Sequence, residues 1–187
     1  MMKFLKKHII GLGQFDKIKS LKAVFKETLP LNYAEIGVDM GNTSYCLRKA
    51  FPHIDMYLID AWSLAGFPKG YSKPELVLYK NAFEEREALT RKKHQHPNTQ
   101  IIKGLSLDVA KSFPNGFFDV VFIDASHDYE SAKKDIIAWL PKVRKGGVLC
   151  GHDYSLAQFG VIQAVNEVIG CDNIELKSGD VWVKRIN

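Results

Sequence analysis

The stretch Tyr33-Ala34-Glu35-Ile36-Gly37-Val38-Asp39-Met40-Gly41-Asn42-Thr43-Ser44 carries the change of period that decides the fold. Tyr33 to Val38 is a short apolar run, the mark of a strand buried on both faces, and a helix from about Asn42 to Phe51 follows it. Two glycines stand at the join. Gly37 lets the backbone approach a ligand where a Cβ would collide, and Gly41 permits a sharp turn into the helix. A dinucleotide site would show Gly-x-Gly-x-x-Gly, whose glycines and helix N-terminus accept a pyrophosphate. Here the middle glycine is missing and Asp39 lies inside the turn, which repels a pyrophosphate and suits a ligand bearing an ammonium group.

The alternation continues outward from this turn. Further strand runs are Met56 to Asp60, Gln100 to Lys103, Phe118 to Asp124 and Val148 to Gly151, with helices at about Leu105 to Ser112 and Ser131 to Leu140. Short apolar runs separated by helical segments signal a parallel sheet covered on both faces. Pro141, Gly146 and Gly147 are read as stopping the helix that ends at Leu140 and turning the chain into the fifth strand. After a helix at Leu156 to Ile169 the ending differs. Ile174 to Lys177 and Val181 to Arg185 flank Ser178-Gly179-Asp180, an antiparallel hairpin rather than another crossover. The expected fold is α/β: a Rossmann-like, doubly wound, mostly parallel seven-stranded sheet ending in an antiparallel hairpin.

A length of 187 residues with 46% hydrophobic content supports one core. Residues 3–28 place apolar side chains at helical intervals interrupted at Gly11 and Gly13, which reads as two short amphipathic helices. Packing on the domain through their apolar face is the simplest role, with membrane-surface binding or a lid as alternatives. The chain thus divides into an N-terminal amphipathic helical arm, 1–30, and a domain at 31–187. Residues 61–98 are too long for a simple crossover and carry Gly66, Pro68, Gly70 and Pro74 before a charged helical stretch, Glu75 to His94. They are expected to be a substrate or lid insertion on the ligand side of the sheet.

The net charge of +5 resembles a nucleic-acid footprint until its distribution is read. Seven lysines (Lys3, Lys6, Lys7, Lys17, Lys19, Lys22, Lys26) fall in the first 26 residues, which leaves a basic arm and no basic groove. Cys46, Cys150 and Cys171 are widely spaced with no zinc-site pattern, as reduced cysteines of a cytoplasmic protein would be. The apolar stretch at Ile9 to Leu12 is too short for a signal peptide, and no run reaches the length of a membrane span.

Glu35-Ile36-Gly37-Val38-Asp39-Met40-Gly41, an acid, one residue, Gly, three residues, Gly, resembles methyltransferase motif I. Ile123-Asp124-Ala125-Ser126-His127-Asp128-Tyr129 and Gly146-Gly147-Val148-Leu149-Cys150-Gly151-His152-Asp153-Tyr154 resemble the IDxxHxY and GGxxxGHDY blocks of small-molecule methyltransferases. Those include sugar and macrolide O-methyltransferases. The resemblance runs in order over residues 33–187 and implies the class I methyltransferase fold, S-adenosylmethionine as cofactor, and O-methylation of a small hydroxylated acceptor. It places Glu35, Gly37, Gly41, Asn42 and Ser44 on the cofactor, Glu35 against its ammonium, and Leu105 and Ser106 at the adenine. Trp62 either covers the adenosine or packs in the core. Asp60, an acid ending the strand beside the glycine turn, is placed to accept hydrogen bonds from ribose hydroxyls.

The C-terminal ends of parallel strands meet at one edge, so Asp124 and the His152-Asp153 pair should converge beside the transferable methyl group. By resemblance to metal-dependent O-methyltransferases, Asp124, His152 and Asp153 match a divalent-cation site for Mg2+ or Mn2+. His152 is either a nitrogen ligand there or a substrate-positioning group. His127, three residues beyond Asp124, has the pKa to take a hydroxyl proton, and is read either as the general base or as a helix cap or partner of Asp153. The expected catalytic set is His127, Asp124 and Asp153. His8, His53, His94 and His96 have no such surroundings and are expected on the surface. The competing classes are a metal-dependent hydroxylase or oxidoreductase on the same fold, a non-catalytic cofactor-binding protein, and a nucleic-acid modifier. Asp124-Ala125-Ser126-His127 does not match the Asn/Asp-Pro-Pro-aromatic motif of base methylation. Assembly is left open, with a homodimer through the N-terminal helices as one form.

Overall fold

A computed structural model describes residues 12–64 and 72–187. Residues 1–11 of the expected arm, with His8, and the Gly66, Pro68 and Gly70 portion of the expected insertion lie outside the described residues. In chain order the elements are α1 (Leu12–Thr28), β1 (Asn32–Ile36), α2 (Asn42–Ala50), β2 (Asp55–Asp60), α3 (Lys73–Lys93), β3 (Thr99–Lys103), α4 (Ser106–Lys111), β4 (Phe118–Ile123), α5 (Tyr129–Trp139), β5 (Val143–Gly151), α6 (Phe159–Val168), β6 (Glu175–Lys177) and β7 (Val181–Arg185). The seven strands form one sheet in the order β3-β2-β1-β4-β5-β7-β6. Pairing is parallel from β3 to β5, and β7 runs antiparallel to both β5 and β6. The expected sheet and its closing hairpin are both present.

Side chains alternate across the sheet and bury two apolar layers. Met56, Leu58, Val120 and Phe122 meet Leu21, Val24 and Phe25 of α1 and Leu47 of α2 on one face. Ile59, Val121 and Leu149 meet Ile136 and Trp139 of α5 and Ala164 and Val165 of α6 on the other. Full burial of a large apolar side chain contributes about 1.5–3 kcal/mol. Leu21, Val24 and Phe25, all fully buried, therefore bind α1 to the sheet by roughly 5–9 kcal/mol together. Among the described residues, no helix is long and apolar enough to cross a membrane.

Two local expectations change. The described part of the N-terminal segment is one continuous helix, because Gly13 falls in the first turn of α1, where N–H groups lack intrahelical acceptors in any case. Gly146 and Gly147 lie inside β5 rather than ahead of it. Val143 pairs with Phe118 and Val148 with Val120, so the residues between them form a bulge. Gly146 N donates to Ile186 O and Ile186 N to Gly147 O, which ties that bulge to the residue following β7.

Candidate active site

The hydrogen-bond ladder continues past the strand ends. Gly37 N donates to Ile59 O (2.9 Å), Gly104 N to Asp60 O (3.0 Å), Asp124 N to Ile36 O (2.8 Å) and His152 N to Ile123 O (3.0 Å). The residues following β1, β3, β4 and β5 are thereby fixed along one edge, around a cleft of about 1180 Å³. Small-ligand pockets run to about 300–1,000 Å³, so this cleft has room for a cofactor and an acceptor side by side. Glu35, Gly37, Asn42, Asp60, Trp62, Leu105, Ser106, Asp124, His127, His152 and Asp153 all line it. Gly41 and Ser44 do not; Thr43 lines it in their place.

In the cofactor half, the turn after β1 is held from several sides. Asp60 accepts from Asp39 N through one carboxylate oxygen and from Trp62 N through the other, both at 2.8 Å. Each oxygen retains a second lone pair for a ligand hydroxyl. Trp62 is 3% exposed and packs in the core, while its ring N–H donates to Asp39 O at 2.9 Å. Asp39 and Trp62 both hold left-handed backbone, with φ of 52° and 38°, as does Asp153 across the cleft at 61°. Such strain persists where surrounding structure enforces it, and it gathers at functional sites. At Gly37 the close approach is made by the protein itself, since an added Cβ would lie 2.2 Å from Asp124 O. Glu35 is 1% exposed; burial, reinforced by the Asp124 charge, raises its pKa to about 8. The Ser106 hydroxyl is committed to its neighbours, donating to Asp135 at 2.5 Å and accepting from Trp139 Nε1 at 2.9 Å. Burial raises Asp135, which also lines the cleft, to about 6.

The far side of the glycine turn rests on the end of α3. Thr90 Oγ1 donates to Asp39 O (2.8 Å), Lys93 Nζ bonds Met40 O and Asn42 Oδ1, and Arg86 pairs with Asp39. His94, expected on the surface, is 5% exposed, and its Nε2 lies 3.1 Å from Gly41 O and 3.2 Å from Ser44 Oγ. Burial lowers its pKa, so it sits there neutral. Ser44 thus supports the turn from beneath. His53 is exposed and His96 partly so, as expected.

In the reaction half, His127 Nε2 is 2.8 Å from Asp153 Oδ2, and His152 Nδ1 is 3.0 Å from Asp153 Oδ1 and 3.4 Å from Asp124 Oδ1. The contact with Asp153 raises the pKa of His127. Burial opposes charge on His152, but its hydrogen bonds to Asp124 and Asp153 outweigh that and raise it to about 9. Burial would raise both carboxyls; their cationic partners outweigh it and hold both low. Asp128, not His127, caps α5, accepting from Ser131 N at 3.0 Å. One cation here went unread in the sequence. Lys17 of α1 is 9% exposed, lines the cleft and places Nζ 2.7 Å from Asp124 Oδ2.

Asp124, His152 and Asp153 each offer a donor atom within 4.8 Å of the others, the reach a metal site needs. Their donors are nevertheless engaged with each other and with Lys17, which occupies Asp124 from the cleft side. A divalent ion at Asp124 would sit beside an ammonium, so these residues do not fit a resident metal. The cofactor half fits its ligand better: a roomy cleft, an acid at the ribose position and a further buried acid at the glycine turn.

Residues 34–154 match the family described as methyltransferase domain. An uncharacterized protein, R132, of Acanthamoeba polyphaga mimivirus is 28% identical over 178 residues, covering 89% of this chain and 73% of that protein. Among solved structures, the O-methyltransferase NovP superposes with a TM-score of 0.67 at 18% identity, covering 96% of this chain and 82% of NovP. CalS11, a TDP-rhamnose 3'-O-methyltransferase of calicheamicin biosynthesis, gives 0.59 at 18% identity, over 92% and 80% of the two chains.

Proposed function

This chain belongs to the methyltransferase domain family, and on that premise we propose that it transfers a methyl group from S-adenosylmethionine to a hydroxyl of a small acceptor, a sugar or related natural product. The observation carrying the reading is the His127–Asp153 pair, set at the ends of β4 and β5 beside the turn after β1. When bound, S-adenosylmethionine supplies a sulfonium-borne methyl group that needs no further activation. Asp60 would hold its ribose, Glu35 and the turn after β1 its methionyl end, and Leu105 with Asp135 the adenine side. Asp153 accepts from His127 Nε2, which leaves Nδ1 of the neutral imidazole as the basic atom. His127 takes the acceptor proton while Asp124 orients the hydroxyl. The acceptor proton stays on His127 Nδ1, which leaves the hydroxyl oxygen as the nucleophile that the cofactor's methyl group would meet, the cofactor departing as its neutral thioether. Alignment and exclusion of water supply most of the acceleration.

CalS11 acts on a nucleotide sugar, and a sugar hydroxyl is the acceptor class we propose here as well. The test is methyl transfer from labelled S-adenosylmethionine to a panel of free and nucleotide-linked sugars and phenolic glycosides, read by mass spectrometry. Transfer to a hydroxyl that His127→Ala abolishes supports the reading. Transfer only to nitrogen or carbon acceptors would overturn it.

A further inference from the structure

We propose that the Lys17 ammonium is the permanent cation of this site, standing against the Asp124, His152 and Asp153 group that could otherwise hold a divalent metal, so that the chain works without one. The inference rests on the methyltransferase reading and deepens it. Lys17 is a built part of the cleft. It lies four residues before Leu21, on the stripe that anchors α1 to the sheet. The β6–β7 turn closes over the next part of the same helix: an added Cβ on Gly179 would lie 2.5 Å from Lys17 N, and Ser20 Oγ donates to Ser178 O at 2.7 Å. Held from two sides, Nζ reaches Asp124 at 2.7 Å, with both side chains largely shielded from water.

This placement answers the problem a metal would otherwise solve. Asp124 and Asp153 are brought together through His152 Nδ1, which meets Oδ1 of each, and the Lys17 ammonium brings a permanent positive charge to the other oxygen of Asp124, Oδ2. An ammonium supplies one charge and three donors, and one donor serves Asp124 Oδ2. Lys17 is a positioning residue, acting by fixing the charge and orientation of Asp124. A magnesium ion in its place would require near-octahedral oxygen ligands at about 2.0–2.1 Å and several waters, in the space that Nζ now fills.

The experiment uses the full chain stripped with EDTA. Calorimetric titration of S-adenosylmethionine first tests the cofactor reading on its own. Mn2+ is then titrated by electron paramagnetic resonance into the wild type, Lys17→Arg and Lys17→Met. Wild type and Lys17→Arg are expected to leave Mn2+ free at millimolar concentration, while Lys17→Met gains a site about tenfold tighter or more. Turnover of the wild type should be indifferent to EDTA, and that of Lys17→Met should fall and recover with Mn2+ or Mg2+. Stoichiometric Mn2+ binding by the wild type overturns the proposal, as does a folded Lys17→Met that gains no affinity. Should Lys17→Met not fold, the wild type and Lys17→Arg titrations decide it. Failure to bind S-adenosylmethionine would remove the methyltransferase reading and leave the Mn2+ result standing.

Discussion

Replacing Glu35 by Gln should stabilise the unliganded protein and weaken cofactor binding. Glu35 is fully enclosed at the end of β1, and burial with the nearby Asp124 charge raises its pKa from 4.5 to about 8, against opposing pulls from Lys17, Ser44 and Tyr33. Between those values the folded protein keeps a proton that the unfolded chain releases. The associated stability is whole below pH 4.5 and is lost as pH rises to about 8. At about 1.4 kcal/mol for each factor of ten, the loss is on the order of 3 kcal/mol at neutral pH and approaches 5 above pH 8. Gln has the shape of the protonated acid and does not titrate. Urea unfolding of both proteins across this range should therefore show Glu35→Gln gaining on the wild type by about 4 kcal/mol between roughly pH 5 and pH 8.5. Contributions from other titrating groups cancel in the difference. Curves that stay parallel within about 1 kcal/mol would refute the assignment of a buried, protonated Glu35. Cofactor binding would have to ionise Glu35, which costs about 1.4 kcal/mol at pH 7 against the roughly 1.5–3 kcal/mol of a charge-assisted contact to the ammonium, so Glu35→Gln should weaken binding by up to about tenfold.

His127→Ala should lower turnover by about 10²–10⁴ with little change in cofactor affinity, measured by steady-state kinetics beside calorimetry. Because Asp153 raises the pKa of His127 above 6.5, wild-type activity should fall away on the acid side from a pH higher than an ordinary histidine would give. Asp153→Asn should move that limb downward in a pH–rate profile. His94→Ala removes a buried ring from beneath Gly41, so thermal unfolding should show a loss of about 1–3 kcal/mol together with weaker cofactor binding. An unchanged cofactor affinity would mean that α3 does not set the shape of the turn.

Much of this was legible in the sequence because it follows from local backbone demands. The apolar run into Gly37 and Gly41 dictates strand, turn and helix, and Ser178-Gly179-Asp180 between two short apolar segments dictates the hairpin. Parallel topology then brings Asp60, Asp124, His127 and Asp153 to one edge without further information. What stayed hidden depends on contacts between distant segments. Lys17 read as one of seven lysines in a basic arm; the signal that it was different is its place on the buried stripe of Leu21 and Phe25. His94 follows a long charged helix, and nothing in its neighbourhood shows that the helix end docks under Gly41 and Ser44. Gly37 read as a concession to the ligand, yet its closest approach is to the backbone at Asp124, 87 residues away in sequence. The bulge at Gly146 and Gly147 likewise depends on Ile186, which pairs with it from just beyond β7.

The most direct test of the central claim is calorimetric titration of S-adenosylmethionine into the purified protein and into Asp60→Ala. Asp60 holds Asp39 N and Trp62 N and keeps lone pairs for the ribose, so its loss removes both the ligand contact and the shape of the turn. Saturable one-to-one binding by the wild type, weakened about a hundredfold or more in Asp60→Ala, is the expected result. Absence of binding to the folded wild type, or binding that Asp60→Ala leaves intact, would contradict the account.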